Sequence, residues 1–202
     1  MYSRRRLLAT IPLAAVPLAG CSGIQDSYEF TATKASIPDS ALSDSPWSKA
    51  NENSPSFSES VSVAGQDVEV SMNSHVVNYE AEFQGAPLAF ATLLATPQGN
   101  VAGESLNPIG RLSGQDLIER ALSRAGELRE ASKEGETEVE ILGETETVER
   151  YNATTQENSQ RVRILLTRVA DGEDYVIAAA VFPLELSGGE EETLDLFRAI
   201  EH

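Results

Sequence analysis

The sequence is organised by segments in which apolar and polar residues alternate. This pattern occupies residues 61–63 and 68–72, on either side of a turn at residues 64–67, and it returns at residues 75–83. Alternation places every second side chain on one face of a β-strand, and a short turn between two such runs predicts a hairpin. The chain is therefore predicted to fold around an antiparallel β-sheet.

Further segments extend this sheet. Residues 28–33 are expected to form a first strand. Residues 88–95 are apolar on both faces, which predicts a central strand covered on both sides. Residues 136–151 alternate again around a turn near Gly143, and residues 161–184 flank a second polar turn at their middle. The last segment is predicted to form a hairpin at the centre of the sheet.

Two helices are predicted among these strands. Ser113 can cap a helix that would run to about residue 130, with Asp116 as the reciprocal acid of a capping box. Ser187 can cap a last helix in the same way. The order of strands, helix, strands and helix predicts the α+β class: a mostly antiparallel sheet with two main helices packed on it, for which an α-β-α sandwich is one arrangement.

Residues 28–202 are predicted to form a single domain, because their length suits one core of ordinary size. Residues 36–55 contain three prolines and many Ser, Asp and Asn residues without periodicity, so they are interpreted as a loop or a partly disordered linker. Trp47, inside this segment, is expected to attach the loop to the core, with a role as a partner-binding anchor as the alternative.

The charge of the chain is strongly negative. It has 32 acidic and 15 basic residues, and three of the arginines precede Cys21, so the part from Cys21 onward carries a net charge of −20. Such a surface repels phosphate, and no nucleic-acid partner is expected. Salt at about 1 M shortens the Debye length to roughly 3 Å and screens the self-repulsion. Dispersed acids and scarce lysine therefore indicate a halophilic protein, with calcium or other cation capture as the alternative.

The first 20 residues have the composition of a signal peptide. Arg4 and Arg5 precede an apolar stretch at residues 7–19, which is shorter than the roughly 20 residues that a membrane-spanning helix needs. Two arginines ahead of such a stretch resemble the twin-arginine motif, which directs folded proteins across a membrane. Residues 1–20 are therefore interpreted as a twin-arginine signal peptide.

The apolar stretch leads directly to the single cysteine of the chain. Leu18, Ala19 and Gly20 precede Cys21, and this sequence resembles the lipobox of lipoproteins, in which the cysteine is lipidated and becomes the mature N-terminus. Residues 21–27 would then be a tether, and the lipid would hold the protein on the extracellular face of the cell membrane. A single cysteine also excludes an intramolecular disulfide, so core packing must hold the fold together.

No catalytic constellation stands out. His75 and His202 are too few for a histidine zinc site; His75 is interpreted as a half-buried strand residue and His202 as a frayed one. The sequence contains no phosphate-binding glycine loop, dinucleotide motif or nucleophile elbow. Acidic runs at residues 136–140, 144–149 and 190–192 are interpreted as solvated faces and as a helix start. We therefore predict no catalytic residue, no metal and no cofactor.

Two other motifs are candidates for function. Asn152, followed by Ala153 and Thr154, forms an N-glycosylation sequon and is a candidate glycosylation site between two strands. The stretch around Asn107 and Pro108 is interpreted as a structured loop before a helix cap, with a functional loop as the alternative.

Several of these features together resemble one family. The leader motifs, Thr96-Pro97, residues 105–113 and the closing hairpin and helix are similar to a family of uncharacterised haloarchaeal lipoproteins. That family has no assigned activity, so the resemblance implies no functional residues. The closing hairpin with Pro183 is more loosely similar to the Mog1/PsbP type of α-β-α sandwich. Its members mostly act as binding or assembly accessories, and this fold-level similarity implies such a role only as an analogy.

These observations predict a lipid-anchored surface protein that binds another protein or a small ligand and is not an enzyme. A surface hydrolase that uses acidic residues and a structural envelope lipoprotein are the alternatives. A binding module should have a concave patch with apolar lining. A hydrolase should have two carboxylates close together in a cleft, and a structural protein should have neither.

Overall fold

The computed structural model describes residues 27–63, 66–83, 86–101, 104–125, 128–156 and 159–202. The predicted signal peptide, the lipidation residue Cys21 and the tether up to residue 26 lie outside the described residues. The strands are β1 (Ser27–Thr31), β2 (Trp47–Asn53), β3 (Ser56–Val63), β4 (Gln66–Asn73), β5 (His75–Phe83), β6 (Ala86–Pro97), β7 (Asn100–Val101), β8 (Glu104–Ser105), β9 (Leu128–Ile141), β10 (Glu144–Thr155), β11 (Arg161–Asp171) and β12 (Asp174–Pro183). The helices are α1 (Asp39–Ser43), a 3-10 helix (Pro108–Arg111), α2 (Gly114–Ala125) and α3 (Gly189–Arg198).

Seven strands form one antiparallel sheet in the order β2-β5-β6-β12-β11-β10-β9. The hairpin predicted for residues 161–184 is β11–β12, whose pairing ends at Asp171 opposite Asp174. It lies inside the sheet, between β6 and β10, which confirms the antiparallel sheet and the central position of this hairpin. Gly143 follows β9 with a φ of +82°, a conformation that suits glycine in the tight turn to β10.

A second sheet has the order β1-β4-β3. The predicted hairpin around residues 64–67 is β3–β4, and β1 joins β4 in parallel. Alternation along β4 buries Val68, Val70 and Met72, against which Tyr28 and Phe30 of β1 pack. This sheet contacts β6 of the seven-stranded sheet.

The seven-stranded sheet buries apolar side chains on both faces. One face packs against α3 and the segment that precedes β2, and its core includes Trp47, Tyr79, Leu165 and Phe197. The opposite face packs against α2 and the 3-10 helix; Ile118 of α2 and Ile164 of β11 are buried there, among other residues. Helices α2 and α3 therefore lie on opposite faces of the same sheet.

The predicted α+β class is wrong. Strands make up 62% of the structure and helices 16%, and the two sheets give a β-sandwich rather than a sheet with two main helices. The helical stripe predicted up to residue 130 ends at Ala125, and β9 begins at Leu128, well before residue 136. The first residues of β9 are mostly exposed and carry no apolar alternation, so the sequence pattern does not show where the helix ends and the strand begins.

The interpretation of residues 36–55 as a loop also needs correction. The segment contains α1 and β2, and β2 pairs with β5 at the edge of the large sheet. Apart from Trp47, the side chains of β2 are exposed, so the strand shows no apolar alternation and its backbone pairing is invisible in the sequence. Trp47 itself is only 2% exposed and belongs to the core.

Two smaller expectations differ from the structure. Residues 88–95 do form a central strand, yet Leu88 and Phe90 are 37% and 51% exposed, so one face is not fully covered. The last helix is preceded by Gly188 with a φ of +80° and without a side-chain cap, so Ser187 does not cap it. Among the described residues, no helix has the length and apolar character to span a membrane.

Candidate functional site

β10 and β11 separate before either strand ends. Their pairing runs from Thr154 opposite Arg161 to Glu149 opposite Leu166 and stops there. β10 nevertheless begins at Glu144, and β11 continues to Asp171. Over this stretch β10 pairs only with β9, and β11 only with β12. The sheet therefore opens into a fork between two hairpins, and we call this opening the strand fork.

The strand fork forms one wall of an open cleft of about 320 Å³, which we call the fork cleft. The opposite wall is the start of α2. On the other face of the sheet, Val148 and Val169 are buried in the core, so the fork is closed on that side. The fork cleft is lined by three residues next to or in α2 and five residues of the two strands: Ser113, Gly114, Leu117, Thr147, Glu149, Leu166, Thr167 and Arg168.

Glu149 is the carboxylate of this lining; two neighbours hold it in place by hydrogen bonds, and Gly114 leaves space for it. Its Oε1 accepts a hydrogen bond from Lys133 Nζ at 2.5 Å, and its Oε2 accepts one from the Tyr151 hydroxyl at 2.8 Å. A Cβ added to Gly114 would lie 1.6 Å from Oε2. The absence of a side chain at the first residue of α2 is therefore what allows the carboxylate to approach the helix.

Both donors to Glu149 are kept protonated by their surroundings. Burial, followed by the hydrogen bond to Glu149, raises the pKa of the Tyr151 phenol well above its usual value. The hydrogen bond to Glu149 is also the largest cause of the raised pKa of the Lys133 ammonium. At neutral pH the Glu149 carboxylate therefore accepts hydrogen bonds from a charged ammonium group, that of Lys133, and from a neutral phenol, that of Tyr151.

Arg168 joins the two walls of the fork cleft. Its Nη1 donates to the backbone carbonyl oxygens of Ile109 and Leu112, at 2.7 Å each. These carbonyls belong to the 3-10 helix and to the residue that follows it, just before α2. Because a guanidinium group fixes both carbonyls, the start of α2 is held at a set position across from β11.

The Asn107-Pro108 stretch positions the same wall from its other end. Asn107 is 2% exposed, and its Nδ2 donates to Thr96 Oγ1 and to the Pro97 carbonyl. Its Oδ1 accepts from the amide of Ile109. The stretch around Asn107 and Pro108 is therefore a structured loop that fixes the 3-10 helix against the end of β6.

Neither histidine lines the fork cleft. His75 is half-buried, as expected, and its Nδ1 lies 3.0 Å from Ser54 Oγ. His202 was expected to be frayed, and that was wrong: its side chain is 5% exposed, with Nδ1 2.8 Å from Asp171 Oδ2 and Nε2 3.2 Å from Asp174 Oδ2. These contacts attach the end of the described chain to the tip of the β11–β12 hairpin.

Asn152 lies inside β10, opposite Arg163 of β11, rather than between two strands. Its side-chain oxygen is buried without a hydrogen-bond partner, and the residue is half-buried. Glycosylation of Asn152 stays a prediction.

The acidic runs at residues 136–140 and 190–192 behave as expected, whereas Glu149 of the third run is half-buried and bound to Lys133 and Tyr151 instead of lying on a solvated face. Glu136, Glu138 and Glu140 are exposed along β9, and residues 190–192 occupy the first turn of α3, where acids suit the positive end of the helix dipole. Among the described side chains, no group of three or more His, Cys, Asp or Glu residues is placed to hold a metal ion.

The residues that line the fork cleft carried no recognisable signal in the sequence. Thr147 and Glu149 were read as members of an alternating strand, and Arg168 as part of a hairpin. Their alternation continues unchanged past the point where β10 and β11 separate, because each strand keeps one partner. Only the tertiary arrangement brings them together.

Residues 34–201 match the family described as Domain of unknown function (DUF6517), and the chain belongs to that family. No curated protein matches the sequence.

Proposed function

We propose that this member of the DUF6517 family is a lipid-anchored surface protein that binds a ligand in the fork cleft and catalyses no reaction. In this proposal a lipid on Cys21 holds the protein on the extracellular face of the cell membrane. The organism that makes the protein is a halophilic archaeon. The observation that carries the binding role is the fork cleft itself, because a strand pair that opens inside a sheet gives up backbone pairing that a structural domain would retain.

The fork cleft has the mixed lining of a ligand site. Leu117 and Leu166 supply apolar contact, and Thr147, Glu149 and Arg168 supply a hydroxyl, a carboxylate and a guanidinium group. Its volume lies near the low end of the roughly 300–1,000 Å³ of known small-molecule sites. A few fixed polar groups beside apolar surface are what such sites use to orient a ligand.

The lining favours binding over hydrolysis. Hydrolysis by paired acids needs two carboxyl groups across one substrate bond, roughly 5–10 Å apart. Among the lining residues of the fork cleft only Glu149 is acidic, and its two oxygens already accept hydrogen bonds from Lys133 and Tyr151. A structural envelope lipoprotein, the other alternative, has no need for such a cleft.

Life in strong salt is supported by the surface. All three lysines of the chain form ion pairs with glutamates: Lys34 and Lys49 share Glu52, and Lys133 contacts Glu136 and Glu149. The remaining aspartates and glutamates of the chain outnumber its arginines. On dialysis from molar salt to dilute buffer we expect the melting temperature to fall, and a melting temperature indifferent to salt would count against a halophilic origin.

The anchor and the export route can be tested together. Cys21→Ser should release the full-length protein from membranes into the soluble fraction, and Arg4→Lys with Arg5→Lys should leave it inside the cell. A Cys21→Ser protein that still sediments with membranes would refute the lipid anchor. Normal export of the arginine variant would point to the general secretory route.

Binding can be tested by blocking the fork cleft. The full-length protein in molar salt would be screened by thermal shift against amino acids, sugars, small carboxylic acids and short peptides. Thr147→Phe should abolish the shift given by any binder, because Thr147 is exposed and lines the cleft. Thr92→Phe is the matched control, an exposed strand threonine outside the lining. An equal shift in both variants, or no binder in any class, would contradict the proposal.

A further inference from the structure

Arg168 brings a positive charge to the fork cleft that no described acidic side chain neutralises. Its Nη1 donates to the uncharged carbonyl oxygens of Ile109 and Leu112, and none of the ion pairs between described residues includes it. A guanidinium group has N–H donors on all three of its nitrogens, so those on Nε and Nη2 remain for other acceptors. The cleft therefore favours a negatively charged ligand group at Arg168.

Glu149 brings a negative charge that is only partly neutralised. Its cationic partner Lys133 also contacts Glu136 at 3.3 Å, so one ammonium group serves two carboxylates. Each carboxylate oxygen of Glu149 accepts one hydrogen bond, from Lys133 or from Tyr151, and each has a second lone pair. The side chain is 24% exposed, so a ligand in the cleft can reach it. A positively charged ligand group is therefore favoured at Glu149.

The two walls of the cleft place these opposite charges two residues apart. Continuing the register of β10 and β11 brings Arg168 toward Thr147, which lies two residues from Glu149 on the same strand, a distance of about 7 Å. On the opposite wall, the Arg168 guanidinium binds the carbonyl of Leu112, and Glu149 Oε2 lies beside Gly114. The positive and the negative group therefore follow one another along the cleft.

Apolar surface lies beside this pair of charges. Leu117 of α2 and Leu166 of β11 both line the cleft, the first half-buried and the second 4% exposed. The cleft volume of about 320 Å³ corresponds to roughly ten water molecules at about 30 Å³ each. A matching ligand is therefore small, with an apolar part in addition to its two charges.

We propose that the fork cleft binds a small zwitterion, a free α-amino acid with an aliphatic side chain. Its carboxylate accepts hydrogen bonds from Arg168, its ammonium group donates to Glu149, and its side chain packs against Leu117 and Leu166. This inference rests on the proposed binding function and names the class of ligand. A simple anion would meet the Glu149 carboxylate and a simple cation would meet the Arg168 guanidinium, whereas a zwitterion matches both charges.

The dimensions of an α-amino acid suit this spacing. Its nitrogen and its carboxyl carbon are about 2.5 Å apart, because a single carbon atom joins them. With a hydrogen bond of about 2.9 Å at each end, such a ligand bridges protein groups roughly 7–9 Å apart. This range includes the separation of the Arg168 and Glu149 positions along the strands.

The test compares charge analogues of one ligand on the full-length protein. Valine, leucine and isoleucine are titrated by calorimetry near neutral pH, at the lowest salt concentration at which circular dichroism shows the protein to be folded. The tightest binder is then compared with its amide, which lacks the carboxylate, and with its deaminated acid, which lacks the ammonium group. Each analogue loses a hydrogen-bonded charge and should bind at least about tenfold more weakly.

Glu149→Gln tests which residue receives the ammonium group. The amino acid should lose at least about tenfold in affinity for this variant, and the deaminated acid should bind it within about threefold of the parent. Glu136→Gln is the matched control, because Glu136 contacts the same Lys133 and lies outside the lining. It should leave both affinities within about threefold. If Glu149→Gln does not fold, the comparison of analogues on the parent protein still decides.

The outcomes separate this inference from the binding function. If the deaminated acid or the amide binds as tightly as the amino acid, one of the two charges is not recognised and the zwitterion is overturned. If no amino acid binds but another small molecule does, through a shift that Thr147→Phe removes, the zwitterion is overturned and the binding function stands. If no class of ligand binds, both proposals fail.

Discussion

The hydroxyl of Thr167 donates a hydrogen bond to the backbone carbonyl oxygen of Thr147 at 3.0 Å, across the point where β10 and β11 separate. Thr167 is 3% exposed. A side chain thus replaces the backbone hydrogen bond that the two strands no longer make. This contact sets where the strand fork begins.

Replacing this donor should loosen the fork. Thr167→Val keeps the shape of the side chain and removes the hydroxyl, which leaves the Thr147 carbonyl without this partner. We expect the free energy of unfolding to fall by about 1–2 kcal/mol in chemical denaturation. The exposed Thr92 donates to Asn78 Oδ1, and Thr92→Val should change stability by no more than about 0.5 kcal/mol. Equal losses of unfolding free energy in the two variants would mean that the Thr167–Thr147 hydrogen bond contributes no more than an exposed one.

The close approach of Glu149 to α2 should make Gly114 intolerant of a side chain. In Gly114→Ala, the new Cβ would occupy the position of the carboxylate, which must then leave the Tyr151 hydroxyl. Overpacking of this kind costs about 1–3 kcal/mol, measurable as a shift in the denaturation midpoint. Gly135→Ala is the control, since its Cβ would meet only the flexible end of Arg150, at 3.3 Å.

A double variant isolates the cause. In a Glu149→Ala background the nearest atom to the new Cβ, Oε2 at 1.6 Å, is gone. The Tyr151 hydroxyl, 2.7 Å from that Cβ, also loses the carboxylate that holds it and can shift, so Gly114→Ala should cost less than in the parent. The two substitutions should therefore be non-additive by more than about 1 kcal/mol. Additive effects would mean that the carboxylate is not what the Cβ meets.

The raised pKa of Tyr151 predicts alkaline sensitivity. The phenol is neutral in the folded protein at a pH at which it would ionise in the unfolded chain, near pH 10. Its contribution to stability is therefore complete below about pH 10 and is lost as the pH rises from there toward the higher pKa of the folded state. Denaturation curves measured across this range should show the decline.

Tyr151→Phe should flatten that decline, and absorbance of the tyrosinate should locate the residue responsible. Tyr79 also has a raised pKa, mainly through burial, so part of the alkaline loss should remain in Tyr151→Phe. A variant whose alkaline profile is superimposable on that of the parent would show that the Tyr151 phenol is not shielded.

Glu52 should titrate at unusually low pH. It accepts hydrogen bonds from Lys34 Nζ at 2.6 Å and from Lys49 Nζ at 3.0 Å, and these lower its pKa to about 2 from an ordinary value of 4.5. The two ion pairs therefore stay intact as the pH falls below the ordinary value of 4.5, and they are lost only as it approaches about 2. An NMR titration of the carboxyl carbon should show this midpoint, and Lys34→Met should raise it. Molar salt should raise it too, because the pair is exposed.

Much of the sheet could be predicted because its strands bury alternate side chains. One or both faces are buried in a core in each of four strands: β4, β5, β11 and β12. Their apolar residues therefore recur at the buried positions of the sequence. β2 was not predicted because its exposed side chains carry no such pattern. It is held by backbone pairing with β5 and by the burial of Trp47. The start of β9 was hidden for the same reason, since residues 129–136 are mostly exposed.

The fork cleft could not be predicted for a different reason. A strand that loses one of two partners keeps its alternation, so Thr147 and Arg168 look like ordinary sheet residues. Asn107 shows the opposite case: its stretch is distinctive in sequence, yet its hydrogen bonds to Thr96 and Pro97 explain it as a loop anchor. Asn107 thus positions the wall of the cleft, whereas the residues that line it, such as Thr147 and Arg168, have no unusual sequence context.

The fork cleft exists only if β10 separates from β11, and amide hydrogen exchange of the full-length protein measures that separation directly. The amides of Thr145, Thr147, Arg168 and Ala170 face the fork and should exchange rapidly. Those of Tyr151 and Ile164, in the paired part of the same two strands, should be protected by orders of magnitude. Uniform protection along both strands would mean that the sheet is continuous there, and the fork cleft would have no basis.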